Sequence, residues 1–316
     1  TVEGVDFDWP KSFPNAAADV QNFLVGSKIK AVRRRGKALI IDLADDYSLV
    51  VHLKMTGQLV FRGAKENFGA GHPSDSLVGE LPDRSTRVTL ELDGGNRLFF
   101  NDQRKFGWMR LVPTGEVMNL DFFKKLGPEP LETGFDAKVL ERRSRRRANS
   151  NIKSVLLDQT VLAGVGNIYA DEALWGAKLH PLALVRNIRP AQFKKLHDEL
   201  VYVLRLAIEK GGSTDRNYVD ASGRKGSYLN FARVFRRDGQ PCPRCGTTII
   251  KIKVAGRGTH ICPHCQKLPK TLACPEASDC RPASARRARA LSSVTVSAEL
   301  CNRKRADVRP RPTFRL

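Results

Sequence analysis

Four cysteines offer the clearest chemistry in the sequence. Cys242-Pro-Arg-Cys245 and Cys262-Pro-His-Cys265 are two Cys-x-x-Cys knuckles separated by sixteen residues. A two-residue gap lets both sulfurs of a knuckle point at one ion, and two knuckles at this spacing close a tetrahedral shell of four thiolates. The expected ion is Zn2+. Four filled ligand positions leave no place for a reactive water, so the zinc is expected to be structural. Residues 247–254 and 259–261 alternate like strands, with Gly256-Arg257-Gly258 between them. That pattern predicts a zinc-ribbon hairpin with Arg257 at its tip, set to meet a phosphate. All seven cysteines fall in the C-terminal quarter. A disulfide-stapled secreted fold would spread them through its cores.

A second group of residues suits phosphate. Gly164-Val165-Gly166 precedes Asn167 and a helical pattern, so a glycine turn brings backbone N–H groups and a helix N-terminus to one place. Asn167 adds a side-chain amide, and Lys153 on the preceding helix adds charge. A tight turn between packed helices would explain the glycines equally well. The composition favours an anion: Lys plus Arg is 54, Asp plus Glu is 33, and the net charge is +21. A pI near 10.0 points to a polyanionic partner. Nucleic acid comes first and an anionic membrane second. No stretch of eighteen apolar residues and no signal peptide is visible, so a cytosolic protein is expected.

The elements that must hold these groups divide along the chain. The first third reads as β. Residues 37–43 and 48–53 flank an acidic turn, 58–61 is a further strand, and 88–92 and 97–100 flank Asp93-Gly-Gly-Asn96. Residues 108–112 close the set, and Gly69 to Pro82 reads as a loop. Short strands at this spacing suggest a sandwich or barrel. The middle third is helical. One helix spans Ile152 to Leu162, a second starts at Ile168, and a long one runs from Pro190 to Gly211-Gly212. Beyond Leu268 the chain loses any periodic apolar face and becomes Arg-rich, which reads as a disordered basic tail or a read-through end.

The segment Gln159 to Pro181, QTVLAGVGNIYADEALWGAKLHP, resembles the formamidopyrimidine-DNA glycosylase and endonuclease VIII superfamily. Further matches fall in order: His52-Leu-Lys-Met-Thr-Gly57, Asn101-Asp-Gln-Arg104-Lys-Phe106-Gly107, Leu126-Gly-Pro-Glu-Pro-Leu131, Gly211-Gly212-Ser213-Thr214, Gly223-Arg-Lys-Gly-Ser-Tyr228 and the cysteine knuckles. The resemblance covers about Val5 to Lys267. It implies an α+β multidomain protein: an N-terminal β-sandwich (1–120), a helix–two-turns–helix domain (121–222) and a zinc finger (223–268), with the tail at 269–316. It also implies a monomer that binds double-stranded DNA containing oxidised bases or abasic sites in a basic cleft, at the bacterial nucleoid.

What the resemblance implies residue by residue follows from the need to extrude a base before attacking it. Met55, Arg104 and Phe106 would fill the vacated slot and pair the orphaned base, although alone Met55 and Phe106 read as core residues. Lys37, in Arg33-Arg-Arg-Gly-Lys37, would approach the lesion and assist β-elimination. Arg257 would serve phosphate binding and δ-elimination. Lys153, Asn167, Arg147 and Tyr228 would contact DNA, Tyr228 at the edge of the region that covers the flipped base. The implied activity is removal of 8-oxoguanine and formamidopyrimidines, then strand nicking. A sister specificity for oxidised pyrimidines and a non-catalytic DNA-binding zinc protein are the alternatives. The family's N-terminal nucleophilic proline and following glutamate have no counterpart in a chain that opens with Thr1, so a truncated or processed chain of little activity is expected. Ala148 and Asn149 stand where the family often has a DNA-contacting lysine, and a family histidine is replaced near Ser85.

Overall fold

The computed structural model describes residues 1–72, 74–213 and 227–268. Its β part contains β1 (Val2–Phe7), α1 (Ala17–Phe23), β2 (Ile29–Arg35), β3 (Ala38–Leu43), β4 (Tyr47–His52), β5 (Gly57–Arg62), β6 (Asn67–Gly71), β7 (Thr86–Leu92), β8 (Asn96–Asp102) and β9 (Trp108–Pro113). They form a five-stranded sheet in the order β1-β7-β8-β5-β6 and a four-stranded sheet in the order β2-β3-β4-β9. All paired strands are antiparallel.

The two sheets bury a shared core that includes Ile41, Leu49, Val51, Leu90, Phe100 and Met109. Alternation along β3 and β4 sends Ala38, Ile40 and Val50 to the opposite face. There they pack against Val117 and Phe123. With both faces covered, β3 reads Ala-Leu-Ile-Ile-Asp-Leu rather than alternating with polar residues. The expected sandwich is therefore present. Gly69–Gly71, read as part of a loop, instead closes β6 against β5. Gly69 lacks the side chain that would collide with Leu77, 2.8 Å from an added Cβ, so the strand can lie under that leucine.

The topology aligns two loops. The chain crosses between the sheets from β4 to β5 and again from β8 to β9. His52 pairs with Trp108 in one sheet, and Gly57 pairs with Asp102 in the other. Loops 53–56 and 103–107 therefore leave the same end of the sandwich side by side.

The helical part contains α2 (Asp121–Lys124), α3 (Ala137–Arg145), α4 (Ile152–Leu157), α5 (Asn167–Gly176) and α6 (Pro190–Glu209), followed by β10 (Ile250–Val254) and β11 (Arg257–Ile261). Asp136 caps α3 through Val139 N, and Asn151 caps α4 through Ser154 N. Pro190 opens α6 at its first turn. Phe193, Leu196, Leu200 and Val203 bury one face of α6 against Leu156, Val165 and Leu174. The helix expected over 152–162 stops at Leu157. Asp158 takes an extended conformation, and its carboxylate accepts from Thr160 N and Oγ1 at 2.9 and 2.7 Å. That local turn competes with helix continuation. No described helix is long and apolar enough to cross a membrane. The expected tail and residues 214–226, in the region expected to cover a flipped base, lie outside the described residues.

Candidate nucleic-acid interface

The four thiols of Cys242, Cys245, Cys262 and Cys265 converge, with all Sγ atoms within 4.8 Å of one another. The pairs 242–265, 245–262 and 245–265 lie at 4.0, 3.5 and 3.5 Å. A tetrahedral zinc with Zn–S bonds of about 2.3 Å sets its sulfurs about 3.8 Å apart. A disulfide would require about 2 Å. The cluster therefore fits one structural zinc. Cys242 and Cys262 also pack on Trp175 at the end of α5. Arg244 lies over the Trp175 ring at 3.8 Å and donates to the Trp175 carbonyl.

The ribbon hairpin turns one step earlier than its glycines suggest. Val254 pairs with Arg257, so the turn is Ala255-Gly256, and both have positive φ, 51° and 72°. A two-residue turn of this hand matches the twist of the flanking strands. Buried Val254 fixes that register. Arg257 is thus the first residue of β11 rather than the tip, and it is exposed.

Lys153 does not offer its charge to a ligand, contrary to the sequence reading. It is fully buried, and its ammonium donates to Asp171 Oδ1 at 2.5 Å and Thr259 Oγ1 at 2.6 Å. Asp171 also accepts from His260 N at 3.0 Å. Glu172, one residue on, accepts from the amides of Arg233, Val234 and Phe235. These two buried carboxylates hold the zinc ribbon against α5. Sequence reasoning missed both, although adjacent acids in an otherwise apolar helical segment are the signal.

The ribbon brings Arg257 toward the β2–β3 turn. Lys37 is exposed as a residue, but its Nζ donates to the Val165 carbonyl at 2.9 Å. Burial of the ammonium first, and the nearby Arg257 charge second, lower the Lys37 pKa to about 8. A Cβ on Gly166 would lie 3.7 Å from that Nζ, so the glycine turn and the lysine are neighbours. Glu129 holds the lysine's turn. It accepts from Gly36 N at 2.7 Å and Arg34 at 2.6 Å, and it pairs with Arg35. Its neighbour Gly127 donates to Gln159, which in turn donates to Val165. The sequence marked this segment only as one of the ordered matches to the family.

Asn167 opens α5 and donates its Nδ2 to the Gly258 carbonyl at 3.0 Å, while its Oδ1 is buried without a partner. Its amide therefore tethers the finger, and the groups left to an anion are the helix amides.

At the aligned loops, Met55 and Phe106 are 53% and 55% exposed, far from core values. Arg104 lies over the Phe106 ring at 4.8 Å. The three side chains predicted to act together are thus neighbours on one end of the sandwich. Behind them His52 is buried against Trp108 and Phe122. Its Nδ1 accepts from Lys54 N at 3.0 Å, and burial together with the Lys54 and Lys37 charges lowers its pKa to about 4.

Two other predicted contacts are placed differently. Arg147 is half exposed but turns back to Asp158, 2.6 Å away, so its charge is already matched. Tyr228 is 1% exposed and packs edge-on against Tyr169 at 5.3 Å, and burial pushes its hydroxyl pKa upward. It is a core residue because the segment that carries it folds back over α5. The Thr1 ammonium pairs with Asp93 at 2.8 Å. Strands β7 and β8 run from that end to Asp102 over seven residues each, roughly 20 Å of strand. Thr1 therefore sits at the opposite end of the sheet from Met55, Arg104 and Phe106.

Family models match three segments: the formamidopyrimidine-DNA glycosylase N-terminal domain over 1–109, its H2TH domain over 126–218, and a zinc finger found in FPG and IleRS over 239–268. A formamidopyrimidine-DNA glycosylase of Desulforamulus reducens is 42% identical over 269 residues, which is 84% of this chain and 91% of the relative. Solved neighbours include MutM in complex with carbocyclic 8-oxo-G containing DNA, at TM-score 0.72 and 34% identity over 84% of this chain and 92% of that one. Lactococcus lactis Fpg with an abasic site containing DNA gives a TM-score of 0.73 and 35% identity, with the same coverage. With sandwich, glycine-turn helices and four-cysteine finger all in their expected order, this chain belongs to the formamidopyrimidine-DNA glycosylase family.

Proposed function

We propose that the protein is a base-excision glycosylase and abasic-site lyase for oxidised purines, 8-oxoguanine and formamidopyrimidines, that nicks the strand by β,δ-elimination. The β-sandwich (1–120) and the helical part with its finger (121–268) are read as two lobes with duplex DNA between them. One observation carries this reading: the ammonium of Lys37, from the sandwich, lies against the Val165–Gly166 turn, with the charge of Arg257, from the finger, acting on it. Two lobes thereby focus positive charge where one phosphate would sit. Met55, Arg104 and Phe106 supply the apolar, planar and hydrogen-bonding groups that replace an extruded base. Solved relatives bound to 8-oxo-G and abasic DNA support both halves of the reading.

Lys37 would stabilise the phosphate and move a proton during elimination, and Arg257 would hold the phosphate that departs. The backbone amides at the α5 N-terminus would anchor the flanking backbone, while Asn167 holds the finger beside them. The family's attacking group is an N-terminal proline nitrogen, and the Thr1 amine, tied to Asp93, is not placed to substitute for it. Residues 1–316 would hold and distort the duplex. Zinc supplies stiffness when bound and takes no part in bond breaking.

The test compares the 316-residue chain with one that carries the leader Pro-Glu-Leu-Pro-Glu-Val-Glu. Each is incubated with duplexes bearing 8-oxoguanine or an oxidised pyrimidine, with borohydride trapping on an abasic duplex. The leader-bearing chain should release oxidised purine and trap, and the 316-residue chain should trap weakly. Preferential release of pyrimidines would favour the sister specificity. Strong trapping by the 316-residue chain would overturn the assignment of the nucleophile.

A further inference from the structure

Loops 53–56 and 103–107 share one buried anchor. Asp102 is fully buried, and its carboxylate faces only donors. Oδ2 accepts from Phe106 N at 2.8 Å and Gly107 N at 2.6 Å. Oδ1 accepts from Arg104 N at 3.2 Å and from the Thr56 hydroxyl. Thr56 Oγ1 also accepts from Arg104 N at 3.3 Å, so the same hydroxyl is tied to both ends of the second loop's opening turn. Thr56 is the neighbour of Met55, and the other donors belong to Arg104, Phe106 and the residue after it. Each exposed side chain of the wedge is thus within one residue of this carboxylate's partners.

The surrounding sequence is shaped to let the carboxylate in. A Cβ at Gly107 would lie 2.8 Å from the Phe100 ring and 3.1 Å from Asp102 Oδ2. A Cβ at Gly57 would lie 2.3 Å from the Leu53 carbonyl. Lys54 and Lys105 hold left-handed backbones, φ 50° and 56°, a conformation that side-chain-bearing residues adopt at a cost and keep only where neighbours impose it.

We propose that Asp102, bridged to Thr56, is a positioning residue that couples the two loops into one wedge, so that Met55, Arg104 and Phe106 enter a vacated base position together. This rests on the DNA reading above. A carboxylate is required because four donors converge on two oxygens. An amide would present its own N–H groups to two of those donors and leave them unpaired.

The experiment measures fluorescence anisotropy of a duplex with one tetrahydrofuran abasic analogue and of the same duplex intact. The chains are wild type, Asp102→Asn, Thr56→Val and Thr56→Ser, each with a thermal melt. The readout is the ratio of the two affinities. Asp102→Asn should lower the ratio by about tenfold, the scale of losing hydrogen bonds to a charged acceptor. Thr56→Val should lower it severalfold, and Thr56→Ser, which keeps the hydroxyl, should restore it. A merely structural role would lower both affinities together with the melting temperature, would leave the ratio intact, and would overturn the inference. If Asp102→Asn does not fold, the Thr56 pair decides: a wild-type ratio in Thr56→Val sinks the proposal. A wild-type chain that fails to discriminate the two duplexes sinks the DNA reading itself, so the two failures are told apart by the wild-type arm.

Discussion

Lys37 sits between two roles that its pKa separates. At neutral pH its ammonium is mostly charged, and a phosphate bound there, as proposed, would stabilise that charge. The unbound chain gives up the proton near pH 8, because burial and Arg257 both oppose the charge. Binding must then restore a proton, so affinity for duplex DNA should fall as pH rises through about 8. Lys37→Arg, always charged, should bind without that inflection, as anisotropy titrations between pH 6.5 and 9.5 would read. The buried histidines act in the other direction, on stability. His52 and His180 both have pKa values lowered to about 4, chiefly by burial, and each accepts an amide proton at Nδ1. The unfolded chain takes up a proton near 6.5 that the folded chain refuses until about 4. Stability is therefore full above 6.5 and is lost as pH falls, by up to ~3 kcal/mol for each histidine. Urea melts at pH 7 and 5.5 should show the loss, and the double variant His52→Gln/His180→Gln should flatten it.

Among the elements, the zinc ribbon shows most clearly what sequence can and cannot fix. Its four ligands were legible because Cys-x-x-Cys spacing states a geometry on its own. The placement of Arg257 was not, because the glycines on both sides of it suggested the turn while burial of Val254 fixed the register one step away. The hairpins of the sandwich followed from β-rich runs on either side of acidic or glycine turns, and the long α6 from apolar spacing of about 3.6. Lys153 and Tyr228 were misplaced for one reason. Their partners, Thr259 and Asp171 for the lysine and Tyr169 for the tyrosine, come from other elements, and no local pattern announces that packing. Asp102 escaped notice similarly, since half of its role lies in Thr56 on a separate loop. The ribbon also carries a prediction. Removing zinc with a chelator should release residues 250–261 to fast amide exchange and weaken DNA binding, because β11 carries Arg257. Arg257→Ala should weaken binding to a similar degree with zinc content and exchange protection intact. Full DNA affinity in the zinc-free chain would detach the finger from the interface.

At the scale of the whole molecule, the fold brings together groups far apart in the chain. The crossing of β4 to β5 and of β8 to β9 puts Met55 beside Arg104 and Phe106, and the buried carboxylates of α5 bring the finger back toward the Lys37 turn. The basic excess of the chain favours a polyanion in general, which high salt screens, whereas in the proposed reading the exposed wedge is what would discriminate. The most direct measurement is the affinity of the 316-residue chain for an abasic-analogue duplex relative to its intact counterpart at physiological salt. The expected ratio is about tenfold or more, on the scale of the few kcal/mol spared when a base need not be unstacked, and it should shrink toward unity in Met55→Ala/Phe106→Ala. Equal affinity of the wild-type chain for both duplexes would contradict the claim that these side chains occupy the place of a missing base.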